Sequence, residues 1–307
     1  MRKKSFVIYI FLFVVISKSF SQVDPLLFQQ VHNRELYNPA VIGKGGDIKA
    51  ALSYRQQWVG FTGMSTQSLY LHGFASSLYS GFGLKAVFDG FGPLQTKNIK
   101  FNYSFFVPFG DVAFLGLGAG FGIMNNSCKG GDYFYARDAE DPSLPLENTS
   151  KTFPDFDFGF EFNTRNFEIG ASSTHITYSY KDQILVRPMR NYYAYSRVKL
   201  SLNKAWDFIP GISWQYNRKS NTYELNAGIR YNNNLYVNVA YRNPMDLGMA
   251  VGLILFDGFR LTYSYDYGFD NLSTLNNGSH EITISYTIPV NTTYIKNKLR
   301  FFKWKMY

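Results

Sequence analysis

One cysteine in 307 residues leaves no partner for an internal disulfide, so Cys128 is a free thiol or buried filler without a functional role. Long apolar runs are also missing. The longest, Phe6 to Ile16, has eleven residues, and a helix needs about twenty to span a bilayer. A mean hydropathy of −0.18 excludes a bundle of membrane helices. Charge of one sign is missing from the body of the chain. The net +9 comes from four basic residues among the first 21 and five among the last seventeen, neither group holding an acid, which leaves residues 22–290 neutral. Nucleic-acid binding needs a basic face on the folded domain, and none is visible.

The apolar run has another use. Arg2, Lys3 and Lys4 precede it, and Ser19 and Ser21 come after it at signal-peptidase spacing. Residues 1–21 therefore read as a secretory signal peptide cut before Gln22. No cysteine comes after the cut, which excludes a lipoprotein. Aromatics make up 19% of the chain, with 24 Tyr and 29 Phe, as expected for a barrel girdled at both membrane interfaces.

Beyond the leader the chain alternates. Phe156, Phe158, Phe160 and Phe162 share one strand face, and Asp155, Asp157, Gly159, Glu161 and Asn163 share the other. The pattern recurs at 221–231, 235–242, 259–267 and 280–290. A soluble sandwich also alternates. Here the segments are as long as a tilted bilayer span, their ends carry Tyr and Trp, and the exported chain has no disulfide, so the membrane reading is preferred. The expected fold is all-β: a transmembrane antiparallel β-barrel of about fourteen strands over 48–290, with a periplasmic segment or plug at 22–47 and a basic tail at 291–307.

Long connections at 57–65, 125–153, 176–189 and 268–279 alternate with tight ones such as Thr164-Arg165 and Asp257-Gly258. Outer-membrane barrels put short turns in the periplasm and longer loops outside. An even strand count then places both termini in the periplasm. The inward faces carry Lys85, Asp155, Asp157, Glu161, Glu224, Arg230, Arg242, Arg260, Asp266 and Glu281. Their mixed signs predict a salt-bridged lumen rather than an ion-selective ring.

Motifs with chemistry are scarce. Gly116, Gly118, Gly120 and Gly122 lie on one strand face and read as wall where another backbone comes close, not as a phosphate loop. His280-Glu281 lacks the second histidine of a zinc protease. Asp138, Glu140 and Asp141 lie in an acidic loop without the regular oxygen-ligand spacing of a calcium site, so a solvated loop is expected. His175 lies near Ser172 and Ser173, the one arrangement suggesting a hydrolase. No catalytic, metal or cofactor site is expected.

Four segments carry a resemblance. They are Asp24-Pro-Leu-Leu-Phe-Gln-Gln30, Tyr37-Asn-Pro-Ala-Val-Ile-Gly43, Ser53-Tyr-Arg-Gln-Gln-Trp-Val-Gly60 with Gly63 and Thr66, and Asn277-Gly-Ser-His-Glu-Ile282. In sequence and spacing the chain resembles the PorP/SprF family of type IX secretion system membrane proteins of Bacteroidota. The resemblance implies an outer-membrane barrel without enzymatic activity. Its implied partners are type IX components and a secreted protein with a C-terminal sorting domain, such as a large gliding adhesin, together with outer-membrane lipid. The residues that carry it are Asn38, Pro39, Tyr54, Arg55, Gln57, Trp58, Gly60, Gly278, Ser279, His280 and Glu281. Asn38-Pro39 reads as a turn, and residues 25–37 as a short periplasmic helix or a plug. Arg55 and Trp58 fall at the outer end of the first strand, to brace the wall or to bind a partner. A porin-like passive channel is the alternative function.

Overall fold

The computed structural model describes residues 27–290 except 32, 61–63, 111, 131–146, 177–188, 219, 244–245, 257, 270–275 and 289. The expected leader, the basic tail and the acidic loop with Asp138, Glu140 and Asp141 lie outside the described residues.

Fifteen strands succeed one another: β1 (Ile48–Gln56), β2 (Met64–Ala75), β3 (Ser80–Phe91), β4 (Leu94–Phe109), β5 (Ala113–Cys128), β6 (Thr149–Thr164), β7 (Phe167–Thr174), β8 (Asn191–Val198), β9 (Leu200–Ser201), β10 (Trp206–Tyr216), β11 (Asn221–Tyr231), β12 (Leu235–Arg242), β13 (Asp246–Phe256), β14 (Phe259–Gly268) and β15 (Ser279–Ile288). β8 and β9 both pair with β10 and form one stave broken at Lys199, so the wall has fourteen staves. Neighbours are antiparallel. β15 pairs with β1 from Ile48↔Ile288 to Gln56↔His280, which closes the sheet into a barrel.

The solvation pattern is inverted relative to a soluble protein. On β6 the outward Phe156, Phe158 and Phe160 are 42%, 54% and 44% exposed. Their inward neighbours Asp155, Asp157 and Glu161 are 3%, 2% and 1% exposed. Exposed phenylalanines in such number are tolerable only against lipid.

Two strands run longer than their hydrophobic pattern. β5 continues to Cys128 and β6 begins at Thr149, so the connection is shorter than 125–153. Most of the added residues are polar, and Asn125 Nδ2 donates to Ser150 Oγ at 3.0 Å and to Thr152 Oγ1 at 2.8 Å. Past the apolar band the outward face no longer needs to be hydrophobic, while the β5–β6 ladder continues out to Cys128↔Thr149. At the opposite end, Asn232 and Asn233 both take positive φ (47° and 59°), and Asn234 N–H donates to Tyr231 O. That is the tight turn a twisted hairpin prefers, and asparagine tolerates its left-handed backbone.

The segment before β1 is not periplasmic helix. It forms three 3-10 turns, η1 (Phe28–Val31), η2 (Arg34–Leu36) and η3 (Pro39–Val41), inside the barrel. Arg242, the last residue of β12, donates to Leu27 O, and Phe28 packs on Ala240 and Ala250. These wall residues sit near the long-connection end. Ile42 O accepts from Ser104 Oγ far down β4, toward the short-turn end where β1 starts. The chain thus runs the length of the lumen before entering the wall. Ile288 ends at the short-turn end, as the strand count implies. Leu27 lies at the other end, because strand parity takes no account of a segment threaded through the lumen.

Candidate functional site

The lumen and the segment threaded through it form the candidate site. Its seat is made of glycine. The Asn38 side chain caps η3: Oδ1 accepts from Ala40 N–H at 3.0 Å, and Nδ2 donates to Phe160 O at 3.2 Å and to Tyr195 OH at 2.9 Å. Pro39 occupies the first position of the turn, where a missing N–H costs nothing. The η3 backbone lies directly on the wall. A Cβ on Gly118 would fall 2.2 Å from Pro39 C and Ala40 N, and one on Gly159 2.2 Å from Asn38 Oδ1. Only glycine permits that approach. The backbone that comes close to the glycine face of β5 is therefore the Asn38-Pro39-Ala40 turn.

Charge holds the segment in place. Arg34 Nη1 lies 2.8 Å from Glu161 Oε2 and 2.7 Å from Glu168 Oε2. Lys44 Nζ lies 2.6 Å from the other oxygen of each. Arg197 pairs with Glu168 at 2.7 Å, and Tyr195 OH donates to Glu161 at 2.5 Å. Two cations of the threaded segment are thus clamped between adjacent strands β6 and β7. Such buried groups are costly to desolvate, so the pairs are no measure of net stability, but removing one side of a pair costs about 3–5 kcal/mol.

A second anchor faces β1 and β2. Glu35 pairs with Lys49 Nζ at 2.7 Å, and His72 Nε2 lies 3.5 Å away. Lys85 Nζ donates to Leu36 O at 2.7 Å. Glu35→Gln removes the counter-charge that Lys49 meets here and should lower the unfolding temperature of the detergent-solubilised barrel.

The residues of the resemblance divide into two sets. Arg55, at the end of β1, points inward and holds Asp266 through two bonds, Nη1–Oδ1 2.6 Å and Nη2–Oδ2 2.8 Å, with Glu281 Oε2 at 3.5 Å. Glu281 in turn accepts the Phe28 N–H at 2.8 Å, so it links the wall to the threaded segment. Trp58 N–H donates to Ser279 Oγ at 3.3 Å, and Val59 N–H to Gly278 O at 2.8 Å, which joins the β1–β2 and β14–β15 connections. Gln57 N–H donates to Met64 O, and Gly60 and Gly278 take positive φ (114° and 76°) in these turns. Tyr54 and His280 face outward. Tyr54 OH donates to Gln56 Oε1, and His280 Nδ1 meets Tyr263 OH at 2.7 Å. Arg55, Glu281, Asn38 and Pro39 are buried, so they act within the barrel. Asp266→Asn should strip Arg55 of its main counter-charge at a cost of about 3–5 kcal/mol. His280→Ala should cost about 0.5–1.5 kcal/mol, the value of one hydrogen bond. Urea unfolding in detergent separates the two.

Asp155, Asp157 and His175 bring ligand atoms within 4.8 Å of one another, a group the sequence reading missed because Asp-x-Asp lies on β6 and His175 just past the end of β7. Lys100 donates to both carboxylates (2.7 and 2.5 Å) and Lys85 to Asp157 (3.0 Å), so ammonium groups already occupy the positions a cation would take. His175 Nδ1 meets Asp155 Oδ2 at 2.7 Å, which ties the imidazole to this network rather than to a nucleophile. Two further inward charges find counter-ions: Arg242 pairs with Glu224 at 2.7 Å and Arg230 with Asp207 at 2.6 Å. Sequence reasoning missed Arg34, Glu35, Lys44, Glu168 and Arg197. The signal was there for the first two, since adjacent charges in the apolar stretch 25–42 need buried partners.

Among known proteins, the family model described as "Type IX secretion system membrane protein PorP/SprF" matches residues 19–286. The solved structure titled "CymD monoaromatic hydrocarbon channel" is similar over 89% of this chain and 94% of its own, with TM-score 0.53 and 13% identity. The P. putida toluene transporter TodX is similar over 82% and 92%, with TM-score 0.51 and 10% identity. At such identities the likeness shows the barrel fold alone. No curated protein sequence matches.

Proposed function

This chain belongs to the PorP/SprF family of type IX secretion system membrane proteins, and from that premise we propose that it is a non-enzymatic outer-membrane scaffold of the secretion machinery. It supports the secretion or surface attachment of a partner protein bearing a C-terminal sorting domain. The observation that carries this reading is the occupied lumen. The segment from Leu27 to Lys44 is tied to opposite walls by Arg34, Glu35, Lys44 and the Phe28 N–H. A barrel whose interior is filled by its own chain offers partners its loops, rim and turns rather than a pore.

The test is a gentle-detergent pull-down of the tagged protein from native outer membranes, read by mass spectrometry. Recovery of type IX components or one large sorting-domain protein supports the scaffold. Deleting the gene should change the secreted or surface proteome, and an unchanged proteome sinks the reading. The second reading is a passive channel for small solutes. It is favoured by the polar lumen and by the channels and transporters with which the fold is shared. Planar-bilayer recording decides: steady conductance from the intact protein supports the channel, and a silent barrel supports the scaffold.

A further inference from the structure

Beside the threaded segment, toward the short-turn end, lies a small cavity whose mouth is open to solvent. Lys49, Arg197, Arg230 and Arg260 line it from four different strands, and no carboxylate is among the lining residues. Tyr236 lines it together with the three arginines. The acids that answer these cations sit behind them: Glu35 on Lys49, Glu168 on Arg197 and Asp207 on Arg230. Glu168 is shared further with Arg34 and Lys44. Arg230 is only 4% exposed, and although Nε and Nη2 hold Asp207, its Nη1 has no hydrogen-bond partner among the described residues. A buried guanidinium N–H without an acceptor costs free energy that a bound acceptor would recover.

We propose that this cavity is a binding site for a small soluble oxyanion, a phosphate or carboxylate group, entering from the short-turn end. Three considerations select that class. Guanidinium groups present forks that match oxyanion geometry and are shed by water more readily than ammonium groups. A concave polar site lined by one sign of charge concentrates the opposite ion. The wall is closed, so headgroups of the surrounding lipid do not reach the four cations. Asn233 and Asn234 of the β11–β12 turn stand at the cavity lining and add neutral polar groups there. The proposal is independent of the secretion reading, since it would hold equally for a channel.

The experiment uses the full mature chain folded in detergent micelles. Inorganic phosphate, and acetate in a second series, is titrated at constant ionic strength set with chloride, and heat is read by calorimetry. Saturable binding of phosphate or acetate above the chloride background is expected. Arg260→Gln and Arg230→Gln should each weaken it by about tenfold or more, the value of a charge-assisted hydrogen bond. Lys97→Gln, on the exposed outer face of β4, should leave it unchanged. Heat-modifiable migration on a gel confirms that each variant is folded. Should Arg230→Gln fail to fold for want of its bond to Asp207, Arg260→Gln decides alone. No saturable heat with either anion overturns the site, as does equal affinity in wild type and the folded arginine variants.

Discussion

Replacing Glu161 and Glu168 together by glutamine should raise the conductance of the barrel well above that of the wild type. The two carboxylates are the counter-charges of Arg34, Lys44 and Arg197. Glutamine keeps the shape and some hydrogen bonds but removes both negative charges. Three cations would then remain in a site that excludes water. Leaving one buried charge unpaired costs about 3–5 kcal/mol, and several such losses exceed what the contacts of one short segment return. The wall does not depend on these side chains, because its backbone ladder runs unbroken from β1 to β15. The least costly response is for residues 27–47 to leave the lumen and take Arg34 and Lys44 into water. Single-channel recording would show openings in the double variant and few in wild type. A variant that stays silent while remaining heat-modifiable would mean that the ion pairs do not hold the segment. Arg34→Met with Glu161→Gln is the informative control. It removes one charge of each sign, so it should open the barrel much less.

Gly118→Leu should displace the same segment by steric means. The Cβ alone would sit 2.2 Å from two backbone atoms of Pro39 and Ala40, and backbone cannot swing aside as a side chain can. Inserting bulk into packed contacts costs about 1–3 kcal/mol where neighbours can adjust, and more where they cannot. Leucine suits the strand itself, where Ser104 on β4 and Gly159 on β6 are its cross-strand partners on the inner face. The barrel should therefore insert and migrate normally, while protease sensitivity of the 27–47 segment rises and conductance appears. The matched control is Leu117→Ala on the lipid face of the same strand, which should leave the lumen closed. Agreement between the charge variant and the steric variant would identify the displaced segment as the common cause.

The two variants also mark how far the sequence could be read. Alternation located the wall. The pattern of Phe156, Phe158 and Phe160 against Asp155, Asp157 and Glu161 needs only the strand period of two, a local property. Strand ends were less legible. At 125–128 and 149–153 the mostly polar residues gave no facing signal, yet pairing continues there because backbone groups seek partners whatever the side chains are. The break at Lys199 left no trace in the pattern.

The site was legible only in its parts. Glycines 116 to 122 pointed to a close backbone approach, and Asn38-Pro39 to a turn. That one rests on the other joins residues some eighty positions apart, and no local period encodes that. The inward charges of the wall were recognisable singly, but their partners were not. Arg34 and Glu161 are separated by 127 positions, Arg55 and Asp266 by 211. The Arg55 guanidinium, placed at a strand's outer end by counting, turns inward because Asp266 and Glu281 wait there on β14 and β15, and closure of the barrel brings β15 against β1.

By itself the sequence determined the class of solvent each face meets, the number of staves and the family. These come from periodicity, composition and short motifs, which act between near neighbours. Only the tertiary structure decided that residues 27–47 fill the lumen, which charges pair, and where cations from four strands line one cavity. Those outcomes depend on ring closure and on the fit of one backbone against another, and both are properties of the assembled barrel rather than of any stretch of chain.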